Sequence, residues 1–170
     1  MASIDFTPDG DMDIPAGAER AWREGLIVLA TLSATDLRYG WFAYQIDFKV
    51  GGHAFLSATR EPLVDIMFTL AYTLQELRAG GSAEIDFTEN SYVIHLELAG
   101  DRVRFTSSHR APAVPPECPF DDYAAAVRAF VASGIACLVE NRPALAENPV
   151  LDELRALVSN PPGGGTGNQE

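Results

Sequence analysis

Apolar and polar residues alternate strictly along residues 81 to 109, GSAEIDFTENSYVIHLELAGDRVRFTSSH, far enough to predict three consecutive strands. With turns at Glu89-Asn90 and Gly100-Asp101, antiparallel pairing sets Ile85 opposite Ile94, Phe87 opposite Tyr92, Leu96 opposite Phe105 and Leu98 opposite Val103 on an inner face. The outer face then pairs Glu84 with His95 and Glu97 with Arg104. A similar pattern runs through WFAYQIDFKV, where Phe42, Tyr44, Ile46, Phe48 and Val50 share one face. Gly51-Gly52 closes a two-residue hairpin onto HAFLSA, which places Val50 opposite His53 and Phe48 opposite Phe55. Upstream, LIVLATLSAT reads as a further strand, separated from this hairpin by a turn over Asp36 to Gly40.

Between the two strand groups the period changes to that of a helix. From Pro62, placed where a first helical turn tolerates it, to Arg78, Leu63, Ile66, Met67, Leu70, Leu74 and Leu77 form one apolar stripe. Val64, Phe68 and Tyr72 form a second row, so this helix is covered twice, by the sheet and by another helix or subunit. Gly80-Gly81 ends it. The segment from His109 to Phe120 holds Pro112, Pro115, Pro116 and Pro119 and reads as an extended surface crossing that blocks further helix or sheet. Asp121-Asp122 opens a helix in which Tyr123, Val127, Phe130, Val131 and Leu138 recur up to Arg142. Asn148-Pro149 reads as an N-cap and first-turn proline before Leu151, Leu154 and Leu157.

Three strands, a helix, three strands and two helices predict an α+β domain: a mainly antiparallel sheet of about six strands with the helices on one face and the other face wet. The domain covers residues 1–158. Residues 1–20 form an irregular acidic arm, and 159–170, Pro- and Gly-rich, a disordered tail. One hundred and seventy residues, 47% of them hydrophobic, suit one core.

Charge narrows the functional classes. There are 24 acidic against 12 basic residues, only Lys49 among the latter being a lysine, for a net charge of −12. Such a surface repels phosphate backbones and anionic membranes and attracts a cationic partner. No secretory signal pattern opens the sequence, and uninterrupted apolar runs fall short of a membrane span. Cys118 and Cys137 read as reduced thiols of a cytoplasmic protein, although one bridge between them is compatible with the spacing.

Candidate chemistry gathers on the outer face of the second strand group, which displays Glu84, Asp86, His95, Glu97, Arg102 and Arg104. A histidine beside a carboxylate is a usable general acid/base pair, with His95 and Glu84 or Glu97 in those roles. The same residues also make ordinary cross-strand pairs and a docking surface for another protein. Trp41, of opposite parity to Phe42 and Tyr44, is read either as packed in the core or at its edge or as an outward aromatic anchor for a protein contact, and Asp47 joins the polar binding residues. His53, His95 and His109 follow no zinc spacing, so no metal is expected. DGDMD at residues 9 to 13 starts like a calcium loop but has Ile14 and Arg20 where glycine and a bidentate acid belong. Cys118, in PPECPF, reads as a buried or inert thiol. No phosphate-cradling glycine loop or nucleophile elbow is present, and no cofactor is expected.

With FKVGGHAF, PLVDIMFTLAYTLQEL and LELAGDRVRF in this order, residues 25 to 158 resemble small bacterial α+β domains associated with the immunity proteins of polymorphic toxin systems. The resemblance implies a small acidic protein that blocks a toxin by binding it, without catalysis, and transfers no residue role. The leading expectation is a non-enzymatic binder of a cationic protein such as a basic toxin domain. A small enzyme or ligand-binding domain built on His95 is the alternative. A homo-oligomeric accessory subunit, suggested by the doubly apolar helix, is a third reading.

Overall fold

A computed structural model describes residues 1–8, 18–87, 91–109 and 112–159. The fold is mixed α and β, with two antiparallel sheets in place of the single sheet expected. The first sheet has the order β1 (Ala2–Thr7), β2 (Ala43–Val50), β3 (His53–Pro62). The second is β4 (Ser82–Asp86), β5 (Val93–Ala99), β6 (Arg102–Ser107), β7 (Glu117–Pro119). The helices are α1 (Ala18–Arg23), α2 (Leu63–Gly80), α3 (Phe120–Asn141) and α4 (Pro149–Ser159).

The second sheet keeps the predicted register through its first three strands. Ile85 pairs Ile94, Glu84 pairs His95, Leu96 pairs Phe105, Leu98 pairs Val103 and Glu97 pairs Arg104. The Phe87 and Tyr92 rings stack at 5.7 Å, although the turn at Glu89-Asn90 lies outside the described residues. The proline-rich crossing departs from expectation, because Glu117–Pro119 pairs with β6 as a fourth strand, Cys118 opposite Val103. Proline is tolerated there because β7 is a three-residue edge that needs hydrogen bonds on one side only.

In the first sheet, Tyr44, Ile46, Phe48 and Val50 are buried on one face and Val50 pairs His53 across Gly51-Gly52. Phe48, however, pairs Leu56 rather than Phe55, and Ile46 pairs Thr59, so the register slips twice. Each slip is a bulge that inserts one residue into β3. At the second, Ala58 takes φ 48°, and its N–H donates to the Asp47 carboxylate at 3.4 Å. The N-terminal arm is also partly regular: Ala2–Thr7 pairs along β2, with Ala2 and Ile4 buried. LIVLATLSAT forms no strand. Leu29–Thr31 is a single 3-10 turn, and Asp36–Gly40 winds as one wide π turn that buries Leu37. Asn148 explains this irregular path. Fully buried, it donates from Nδ2 to the carbonyls of Leu29 at 2.8 Å and Leu32 at 3.2 Å, satisfying backbone groups that a ladder would otherwise occupy. Its Oδ1 accepts the Val150 N–H at 3.0 Å, the N-cap predicted for α4.

Both apolar rows of α2 are covered within the chain, by the sheets and by α3 and α4. The helix therefore does not itself call for a second subunit. Gly81, at φ 76°, ends it by donating to the Leu77 carbonyl at 3.0 Å. Gly134 of α3 lies where an added Cβ would come within 2.5 Å of Met67 Sδ, which shows how closely α3 approaches α2. Between these helices Tyr123 and Thr73 share a buried 2.7 Å hydrogen bond; Thr73 donates to the Leu70 carbonyl, so the Tyr123 hydroxyl donates to Thr73. Phe105 joins the two sheets, its ring 5.8 Å from Phe48, 5.9 Å from Phe55 and 5.4 Å from Tyr123.

By length and composition alone, the 22-residue α3 is apolar enough to cross a membrane, with a mean hydropathy of 1.5 over an 18-residue window, which apolar runs counted without interruption miss. In this fold it buries Tyr123, Val127, Phe130, Val131 and Leu138 against the core.

Candidate functional site

The helices leave the outer face of the second sheet to water. Outward positions alternate with the core positions, so Glu84 and Asp86 of β4, His95 and Glu97 of β5, Arg102 and Arg104 of β6 and Glu117 of β7 share this face, all exposed. Among the described residues three ion pairs span it. His95 Nδ1 lies 2.9 Å from Glu84 Oε1, Arg102 Nε 2.6 Å from Glu117 Oε1 and Arg104 Nη1 3.8 Å from Glu97 Oε2. Every one of these side chains is between 42% and 68% exposed, so each pair contributes only about 0.2–1 kcal/mol in solvent.

Part of this face forms an open cleft of about 580 Å³. Glu84, His95, Glu97 and Arg104 line it, joined by Thr106 and by Glu76, which α2 brings to the rim. Glu76 of the cleft and Glu117 of the outer face are charged residues that sequence reasoning missed. Glu76 reaches the cleft only because α2 turns sharply at Gly81 into β4. Glu117 reaches Arg102 only because β7 pairs with β6. Neither arrangement has a periodic signal.

The remaining predicted residues fall elsewhere. Asp47 lies on the first sheet and belongs to a separate surface, its carboxylate holding the Ala58 bulge and standing 3.9 Å from Lys49 Nζ. Trp41 is no exposed anchor, being only 6% exposed. Phe42 takes φ 57°, and this left-handed residue breaks the alternation on which the outward assignment of Trp41 depended, so both rings enter the core.

The histidines are dispersed: His53 packs its ring 4.8 Å from Phe55, and His109 lies beside Tyr92 at 5.9 Å. Among the described residues no three His, Cys, Asp or Glu side chains come together in a way that could hold a metal. Cys118 is buried and unbridged, and desolvation pushes its thiol pKa up, away from the reactive thiolate. The partly exposed Cys137 is also unbridged. DGDMD lies outside the described residues, as does the tail from residue 160.

The face can therefore accept hydrogen bonds and positive charge over several strands. The acid/base arrangement among its described residues, His95 with Glu84, stands in the cleft with both side chains about half exposed or more, which leaves water free to compete for every polar atom. No protein-family model matches this chain, and no curated protein or solved structure matches it.

Proposed function

We propose that this chain is a non-enzymatic protein-binding domain that presents the outer face of its second sheet to a cationic protein, as an immunity-type inhibitor would to a basic toxin domain. The observation that carries the reading is the wet, charge-laced face itself. Glu76, Glu84, Asp86, Glu97 and Glu117 surround two arginines and one histidine, in a chain with twice as many acids as bases. Exposed pairs of this kind exchange partners at little cost, so a basic partner replaces internal pairs with intermolecular ones, and the long-range field steers its approach. The absence of a disulfide at Cys118 and Cys137 suits a cytoplasmic setting.

Lysate capture on the wild-type chain and on a Glu84→Lys/Glu97→Lys variant, at low and high salt, tests this reading. The expected result is one protein, basic in composition, held by wild type at low salt and lost both at high salt and with the variant. Equal recovery by wild type and variant contradicts it.

A second reading rests on the 2.9 Å His95–Glu84 contact inside the cleft, which suits proton transfer on a small polar ligand. A polar ligand whose binding is abolished by His95→Gln while protein capture is unchanged would favour this reading over the first.

A further inference from the structure

The second sheet has two edges, β4 and β7, and the first has β1 and β3. An unpaired edge is a template for another strand, and proteins blunt edges with bulges, proline, shortness or charge. β3 carries two register slips and the left-handed Ala58. β7 has three residues and ends in Pro119. β4 has five residues in unbroken register with β5, no proline and no positive φ, close to the usual length of a strand. β1 is also regular, but it turns out one carboxylate, Asp5, whereas β4 turns out Glu84 and Asp86 and borders Glu97 and Glu76 in the cleft.

The direction of the β4 backbone follows from two hydrogen bonds. Leu98 N–H donates to the Gly81 carbonyl at 2.6 Å, and Ser108 N–H to the Val93 carbonyl at 2.9 Å. In an antiparallel ladder these positions alternate, so the even residues of β5 bond to β4, and Ala83 and Ile85 answer them. Ser82, Glu84 and Asp86 consequently aim their N–H and C=O groups away from β5, towards a side where no strand lies among the described residues.

Building on the protein-binding reading above, we infer that the β4 edge takes up an extended, arginine- or lysine-bearing segment of the partner as a fifth strand. Backbone groups of Ser82, Glu84 and Asp86 supply the ladder, and Glu76, Glu84 and Glu97 receive the alternate basic side chains. The acids choose the occupant. A second copy of this chain, added antiparallel about Glu84, would set carboxylate against carboxylate, which opposes self-pairing, while a basic strand meets complementary charge.

The test uses a ten-residue peptide of alternating arginine and valine, and the same peptide N-methylated on alternate amides in each of the two phases, so that one edge or the other is blocked. Binding to the full chain is followed by fluorescence anisotropy and by amide hydrogen exchange. The inference predicts salt-sensitive binding of the unmodified peptide, loss of binding for one N-methylated phase only, and slowed exchange at the Ser82, Glu84 and Asp86 amides in the complex. Glu84→Gln, which removes charge alone, should weaken binding about threefold. Glu84→Pro removes in addition an N–H that the β5 ladder does not use, and should weaken binding about fivefold further. The exchange measurement on wild type needs no variant to fold. Salt-sensitive binding with all three amides unprotected and both N-methylated peptides still bound overturns strand addition while leaving a side-chain docking face. No salt-sensitive binding by the unmodified peptide overturns both readings.

Discussion

The two sheets share a core but differ in regularity. In the second, every residue from Ser82 to Asp86 and from Ile94 to Ala99 meets its partner in unbroken register, and alternation separates a buried face from a charged one. In the first, β3 slips twice against β2, and Phe42 and Ala58 adopt left-handed conformations. Bulges raise local twist and spoil an edge for pairing. In the first sheet Phe48 and Phe55 pack against Phe105, while the second displays one polar face across its strands. Regularity accompanies the exposed polar face, and irregularity accompanies the part given over to packing.

The largest expected effect comes from the residue that joins them. Phe105→Ala removes a fully buried ring in contact with Phe48, Phe55 and Tyr123, and should lower stability by about 3–5 kcal/mol in urea unfolding. A loss under 1 kcal/mol would show the sheets to be independently packed. Asn148→Ala should cost about 2 kcal/mol, because the α4 cap disappears and the Leu29 carbonyl loses its buried donor.

High pH tests the core that both sheets share. Burial raises the Tyr123 pKa, so the folded state holds its phenol proton where the unfolded chain releases it. The contribution is present below the unfolded value of about 10 and is lost as pH rises above it, so unfolding free energy should fall above pH ~10. Tyr123→Phe should flatten that fall, at a cost of about 1 kcal/mol at neutral pH from the lost bond to Thr73.

Ala58→Gly tests the bulge. Glycine adopts φ 48° without the steric cost that alanine bears, and a gain of about 0.5–1 kcal/mol is expected. The smallest effect belongs to the outer face, where Glu97→Ala should change stability by less than about 0.5 kcal/mol, since its contact with Arg104 is long and exposed. A large loss there would mean that the face holds the fold together, which would contradict the role proposed for it as a surface for a partner.

The same contrast explains what could be read from the chain. The register of β4, β5 and β6 was legible because short turns and a strict period of two leave one solution that buries Ile85, Ile94, Leu96 and Phe105 together. The two helices behind it and the Asn148 cap were legible from spacing and local chemistry. Phe48 opposite Phe55 was not, since a bulge inserts a residue without any local apolar signal. Nor was the path of LIVLATLSAT, which follows from the buried amide of Asn148 more than a hundred positions away in sequence. β7 was hidden by its prolines. Within the candidate site, Glu84, Asp86, His95, Glu97, Arg102 and Arg104 all reached one face as alternation requires, while Trp41 lay beside the left-handed Phe42, where alternation fails, and Asp47 lay on the other sheet.

The most direct test of the proposed binding face is a chemical-shift map of the isotope-labelled full chain titrated with the arginine–valine peptide at low and high salt. Shifts should centre on Glu84, Asp86, His95, Glu97, Arg102 and Arg104 and disappear at high salt. Shifts centred on Asp5 and Asp47 of the first sheet, or none at all, would contradict the assignment of the second sheet as the partner surface.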